Sequence, residues 1–328
     1  MSKVSTWQPS ADITMLQARA KMLAQVRDFF AVRQVLEVDT PILSRHGVSD
    51  PHIDSIRAEF TPDGASHRET MFLMSSPEYA MKRLLASGSG SIFQIAKAFR
   101  NGEAGRRHNP EFTMLEWYRV DFDLQQLMAE VAELLGLLLA PHLGLLEWHY
   151  LSYAEAFEQT LGVNPWLMDD QAVQTLAQQH IDITLPADTP RETWLDLLMS
   201  HCIEPALTTA CFRYNYPAAQ AALAKLETDT AGHSVARRFE VYIQGMELAN
   251  GYQELTDAQE QAQRFVQDNQ LRAQLGKPNM PADQRLIDAL QAGLPVCAGV
   301  AMGLERILML AYKKQDIAEV LAFNHPLA

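Results

Sequence analysis

Apolar residues recur at helical spacing over Arg19–Arg33, where Met22, Leu23, Val26, Phe29 and Phe30 form one stripe and predict an amphipathic helix. An extended stretch, Val35–Val38, follows and ends at Pro41. Ser76-Pro77-Glu78 reads as a helix entry, with Ser76 as cap and Pro77 in the first turn. Ile92–Asn101 and Phe112–Tyr118 read as strands around a polar loop, Gly102–Pro110. Leu124, Leu127, Met128, Val131, Leu134, Leu135 and Leu138 predict another helix. From about 150 to 230 the chain reads as a mainly helical insertion broken at Pro165, Pro186 and Pro205, and no catalytic pattern stands out in it. Phe239–Leu255 predicts a β-hairpin around Gln244-Gly245. Asp257–Leu275 predicts a polar helix, and Val296–Gly303 a glycine-rich strand that runs into a helix from Leu304 to Tyr312.

Hairpin strands separated by helices predict an α+β fold, an antiparallel sheet flanked by helices. No linker, repeat or low-complexity tract divides residues 1–328, so one catalytic-size domain is expected. The polar start, Met1–Ala11, lacks the pattern of a signal peptide, and the longest apolar run, Leu134–Leu139, is too short to cross a bilayer. Cys202, Cys211 and Cys297 are odd in number and widely spaced, which fits a reducing, cytoplasmic setting and gives no thiolate metal site. The net charge of -13 argues against extended nucleic-acid binding. Arg237-Arg238 and Lys313-Lys314 read as solvated pairs.

Three constellations offer chemistry. In the first, Arg100 stands beside the basic loop Arg106-Arg107-His108, and Phe112, Met114, Glu116 and Tyr118 share one face of the partner strand. A guanidinium next to an aromatic ring suits a nucleoside triphosphate, with Arg100 on a phosphate and Phe112 under the base; the plainer reading is a surface hairpin with scattered charges. In the second, a two-residue turn at Gln244-Gly245 pairs Tyr242 with Glu247 and sets Glu240 diagonally from Glu247, roughly 7 Å away. Two carboxylates at that range call for a cation, such as magnesium on ATP phosphates; two solvated glutamates are the commoner case. Strict alternation would put Asn250, Tyr252 and Glu254 on the opposite face from Glu247, so a shared site requires a β-bulge, expected at Asn250-Gly251. In the third, Gly299–Arg306 brings a glycine-rich strand into a helix with Arg306 near its start.

Taken in order, these pieces resemble the three motifs of class II aminoacyl-tRNA synthetases. Val35–Pro41 is similar to motif 1, Phe99–Tyr118 to motif 2 and Gly299–Arg306 to motif 3. Arg107–Met114 and Glu247–Leu255 resemble the lysyl-tRNA synthetase branch in particular. Only about 34 residues precede the motif 1 segment, too few for that branch's anticodon-binding OB domain. The resemblance therefore points to a stand-alone paralogue that modifies elongation factor P rather than tRNA.

What the resemblance implies can be written residue by residue. Arg100 would be the catalytic contact to the α-phosphate and the substrate carboxylate, assisted by Asn250. Asn101, Glu103, His108, Asn109, Leu248 and Gly303 would border ATP, and Phe112 and Arg306 would sandwich its adenine. Glu240 and Glu247 would hold Mg2+. Glu78 would meet the amino group nearer the carboxylate, and Glu254 and Tyr118 the distal ammonium, with Ser76 and Pro77 also bordering the substrate. Ala301, where lysyl-tRNA synthetases resemble Gly, hints at (R)-β-lysine over lysine. A second departure is Gly102, which stands where the family pattern has Glu; Glu103 comes next. A homodimer through the motif 1 segment is implied as well. Two other readings share these residues: a lysine-adenylating enzyme acting on tRNA or a small molecule, and a non-catalytic regulatory module.

Overall fold

The computed structural model describes residues 7–186 and 188–328. Most of the polar start, Met1–Thr6, lies outside them. Helix α1 (Ile13–Ala31) begins six residues before the predicted stripe, because the Asp12 side chain accepts from the Met15 N–H at 2.7 Å and caps it there. Strands β1 (Leu36–Glu37), β2 (Leu43–Ser44), β3 (Arg57–Phe60) and β4 (Glu69–Leu73) precede α2 (Glu78–Ala86). Then come β5 (Ile92–Phe99), β6 (Glu111–Val120), α3 (Leu124–Leu143), β7 (Trp148–Ser152), α4 (Tyr153–Leu161), α5 (Asp170–His180) and α6 (Arg191–Leu198). The chain continues through β8 (Ala210–Pro217), β9 (Leu226–Thr228), β10 (Ser234–Ile243), β11 (Met246–Gln253), α7 (Ala258–Gln274), α8 (Gln284–Gly293), β12 (Cys297–Gly303) and α9 (Leu304–Ala311).

A central sheet runs in the order β1-β5-β6-β12-β11-β10-β8-β7, with β9 also on β10. Its interior pairs are antiparallel, as expected, while β1 on β5 and β7 on β8 are parallel edge pairs. β2, β4 and β3 form a small separate sheet. One face of the central sheet is apolar: Phe93, Leu115, Trp117, Val300, Met302, Phe239 and Val241 join a core with α1, α3 and α9. At 20 residues α3 is long and apolar enough, by length and composition, to cross a membrane. Here it covers the sheet, burying Leu127, Val131, Leu134, Leu135 and Leu139, so the short run Leu134–Leu139 understated the helix.

Two sequence expectations need correction. The segment from 150 to 230 is not mainly helical throughout, since it returns to the central sheet as β8 and β9. Arg238 is not on a solvated face; it is turned inward onto Glu240 and Asn250.

Candidate active site

The other face of the sheet carries the polar chemistry, and one row of residues crosses it from strand to strand. Gln94 on β5 pairs with Glu116 on β6, Glu116 with Ala301 on β12, Ala301 with Asn250 on β11, Asn250 with Glu240 on β10, and Glu240 with Arg213 on β8. The expected bulge exists, but two positions earlier than predicted. Val241 pairs with Ala249 and Tyr242 with Glu247, so Leu248 is the extra residue. Skipping it restores Glu247, Asn250 and Tyr252 to one face. The side chain of Leu248 packs in the apolar core, so only its backbone could border a nucleotide.

At one end the site is a buried cluster of acids around a lysine. The Lys82 ammonium lies 2.7 Å from Glu78 and 2.6 Å from Glu254. Glu78 and Lys82 are one turn apart on α2, and Glu254 follows β11. Burial disfavours the charge on Lys82, but Glu254 and Glu78 outweigh it and keep the amine protonated well above its usual range. Glu116 is buried beside them and forms no ion pair among the described residues. It accepts from Tyr118 Oη at 2.6 Å and from Ser76 Oγ at 2.7 Å. Burial, and then the charge of Glu78, push its carboxyl up to about 8. Ser76 is thus both a partner of Glu116 and a cap, accepting from the Glu78 N–H at 3.0 Å; Pro77 stands at the helix N-cap rather than inside the first turn. Gly299 makes this packing possible, since a Cβ there would lie 2.4 Å from the Tyr118 ring and 2.6 Å from Glu254 Oε1.

At the other end stand Arg100, Arg306 and His108. Arg100 extends from β5 with a buried Nε–H that has no partner among the described residues, an uncommon state that an anion would relieve. Its guanidinium is 5.2 Å from the Phe112 ring centroid and 3.6 Å from Glu103 Oε1. Gly102 turns with φ +82, a backbone that a glutamate would adopt only under strain, so the acid of this loop is Glu103. Asn101 anchors the loop, donating its N–H to Asp54 O at 2.7 Å. Arg306, on α9 just past Gly303, donates to the Glu247 carbonyl at 2.7 Å and to His108 Nε2 at 2.8 Å. Burial and the Arg306 charge hold the His108 pKa below its usual value, leaving the ring neutral and able to accept. Asn109 takes a different part from the one expected. Its amide donates to Glu111 O at 2.6 Å and accepts from His325 N–H at 2.9 Å, tying the loop to the chain end.

Between the two ends stand Glu240 and Glu247. Against the cost of burial, Arg238 and Arg213 hold Glu240 down to about 2. Glu247 is pushed up, by desolvation and then by Glu240. The donor set, carboxylate oxygens alone, fits a hard divalent cation. Among the described residues the ion-pair partner of Glu247 is Arg306, at 3.7 Å, so this carboxylate has lone pairs to offer. Glu240 has a guanidinium on each oxygen and can offer only what remains. A separate cavity of about 550 Å³ is lined by Ala222, Asp257, Arg264 and their neighbours, and by none of the expected site residues.

Four polar residues of this face escaped the sequence reading as site residues: Lys82, Glu116, Arg213 and Arg238. The signals for two of them were visible. Lys82 is four residues from Glu78 on a helix, and Glu116 alternates with Phe112 and Tyr118 on one strand face.

The family model for class II tRNA synthetases (D, K and N) matches residues 8–326. Elongation factor P–(R)-β-lysine ligases of Salmonella paratyphi B and Salmonella schwarzengrund are each 48% identical over 328 residues, covering 99% of this chain and 99% of theirs. The Salmonella enteritidis ligase matches at the same identity and coverage. With its antiparallel sheet, motif loops and glycine-rich strand in family order, the chain is a member of the class II aminoacyl-tRNA synthetase family.

Proposed function

We propose that this protein activates (R)-β-lysine with ATP and transfers it to a lysine ε-amine of elongation factor P. The observation that carries the proposal is the charge of the buried cluster. Lys82 pairs with Glu78 and Glu254, and the neighbouring Glu116 meets only the hydroxyls of Tyr118 and Ser76, so two negative charges are left for a ligand when all four groups are ionised. A diamino acid brings two ammonium groups, and an amino acid with an uncharged side chain would leave one carboxylate unpaired in the interior. The names of the 48% identical relatives support the choice of β-lysine and of elongation factor P.

In the proposed first step the amino acid carboxylate attacks the α-phosphate, giving an aminoacyl-adenylate and pyrophosphate. Arg100, with its free Nε–H, orients the carboxylate and stabilises the charge on the phosphate. Phe112 and Arg306 hold the adenine, with Glu103 and neutral His108 beside it. Glu78, Glu116 and Glu254, with Tyr118, hold the substrate amines, Asn250 assists Arg100 on the carboxylate, and Ala301 shapes the floor between them. Glu247, and Glu240 through its remaining lone pairs, would hold Mg2+, which would supply positive charge for the leaving pyrophosphate. In the second step the ε-amine of the acceptor attacks the acyl carbon, an amide forms and AMP leaves.

The whole chain would act as one catalytic unit in the cytoplasm. A homodimer through the β1 edge is part of the same reading, supported by the exposed Val32 and Leu36 beside that edge. The exposed Arg106 and Arg107 of the motif 2 loop offer local positive charge for an acidic acceptor despite the net charge of -13. The test is the intact mass of elongation factor P after incubation with protein, ATP and (R)-β-lysine. A gain of one lysyl unit supports the proposal; an unchanged mass with the amino acid consumed on tRNA would move the assignment to a tRNA-lysylating enzyme.

A further inference from the structure

Glu204 lies near Glu240, against the same Arg213 guanidinium, and Glu247 is the third carboxylate of this part of the polar face. Arg213, fully buried on β8, reaches into the group. Its Nη2 lies 2.5 Å from Glu240 Oε2 and 3.8 Å from Glu204 Oε1, and donates to Tyr242 Oη at 2.9 Å. Its Nε donates to Tyr216 Oη at 2.7 Å, and its Nη1 contacts the Met199 sulfur. Arg238 takes the other oxygen of Glu240, and Arg306 stands 3.7 Å from Glu247. Three guanidinium groups therefore face three carboxylates before any ligand arrives. A guanidinium this deeply buried has a fixed position: cross-strand pairing with Glu240 sets its backbone, and two tyrosine hydroxyls hold its head.

We propose that Arg213 is the built-in cation of this acid group. It takes at Glu240 the place that a divalent metal would otherwise fill, so the free protein binds no metal tightly there. Glu247 would then be the chief carboxylate to hold a metal that comes with the nucleotide phosphates. Arg213 is a positioning residue in this scheme: it acts through Glu240, by neutralising one oxygen and fixing the other toward Arg238. The inference rests on the reading that Glu240 and Glu247 are the metal-facing acids, and it is independent of which amino acid is activated.

The experiment is a titration of Mn2+ into the full-length protein without nucleotide, with free Mn2+ counted by electron paramagnetic resonance. The proteins compared are the wild type, Arg213→Met, Arg213→Lys and the double variant Arg213→Met/Glu247→Gln. Removing one buried positive charge leaves Glu240 and Glu204 seeking a cation, so Arg213→Met should bind one Mn2+ at least about tenfold more tightly than the wild type. Arg213→Lys, which keeps the charge, should behave as the wild type, and the double variant should lose the gain. Equal Mn2+ affinity in the wild type and Arg213→Met would overturn the proposal. If Arg213→Met does not fold, tight stoichiometric Mn2+ binding by the wild type alone overturns it, and weak binding by both wild type and Arg213→Lys sustains it. Failure of the elongation factor P assignment would show instead in the mass assay, with Mn2+ binding unchanged.

Discussion

Lys82 and Glu254 meet at 2.6 Å, each side chain 1% exposed, and the same ammonium also reaches Glu78 at 2.7 Å. One buried cation thus balances two carboxylates, while Glu116 has only hydroxyl donors. The pocket is built with a deficit of positive charge, which the proposed substrate makes good.

Removing Lys82 should be costly. Lys82→Met leaves Glu78 and Glu254 buried without a counter-ion, and losing one partner of a buried pair typically costs about 3–5 kcal/mol. Urea unfolding at pH 7.5 should show a loss of that order, shrinking at pH 5 as the orphaned carboxylates take up protons. A change below about 1 kcal/mol at both pH values would mean that the ammonium is not the counter-ion inferred here.

Glu116 should make stability and binding depend on pH in opposite ways. Its carboxyl titrates near 4.5 when unperturbed and at about 8 in the fold. Between those values only the folded state keeps the proton, so stability declines as pH rises through the window. Glu116→Gln removes the titration, and its urea midpoint should be flatter than that of the wild type from pH 5 to 8. An ammonium ligand needs Glu116 ionised, so diamino acid binding by the wild type should tighten from pH 6 to 8 while the glutamine variant stays weak. Calorimetry across that range decides it; parallel profiles for the two proteins would remove Glu116 from the role.

Gly299→Ala tests the packing behind the amino-acid end. The new methyl would lie 2.4 Å from the Tyr118 ring, and overpacking of this kind costs roughly 1–3 kcal/mol. Because Tyr118 donates to Glu116, the KM for the amino acid should rise more than the KM for ATP. An equal rise in both would place the strain elsewhere.

Gly102→Glu restores the family residue but places it at φ +82. Left-handed backbone costs an ordinary residue about 1–2 kcal/mol, and Glu103 already lies near Arg100. The variant should therefore lose stability without gaining ATP affinity. A tighter KM for ATP would show that Glu103 does not cover the missing contact.

Much of this site is legible in the sequence, for a physical reason. Alternation along Glu111–Val120 and the Gln244-Gly245 turn set which side chains share a face, and the need for a bulge follows from two glutamates and an asparagine serving one site. The bulge sits at Leu248 rather than at Asn250-Gly251 because a large apolar side chain gains by turning into the core, whereas Gly251 is fixed by the Phe239 ring, 2.4 Å from where its Cβ would be. β8 was lost among helices because Pro205 and Pro217 bracket it, although Phe212, Tyr214 and Tyr216 alternate as a strand should. With β8 unread, Arg213 could not be paired with Glu240, and Arg238 looked like a solvated charge. Pairings of this kind join residues far apart in sequence, and no local pattern records them.

The most direct measurement is ATP–pyrophosphate exchange with (R)-β-lysine, α-lysine, norleucine and no amino acid. Exchange should be strongest with (R)-β-lysine, weaker with α-lysine and absent with norleucine, whose side chain lacks the second ammonium. Exchange with norleucine comparable to that with the diamino acids, or no exchange with any of them, would contradict the proposed activation of a diamino acid at the Glu78–Lys82–Glu116–Glu254 cluster.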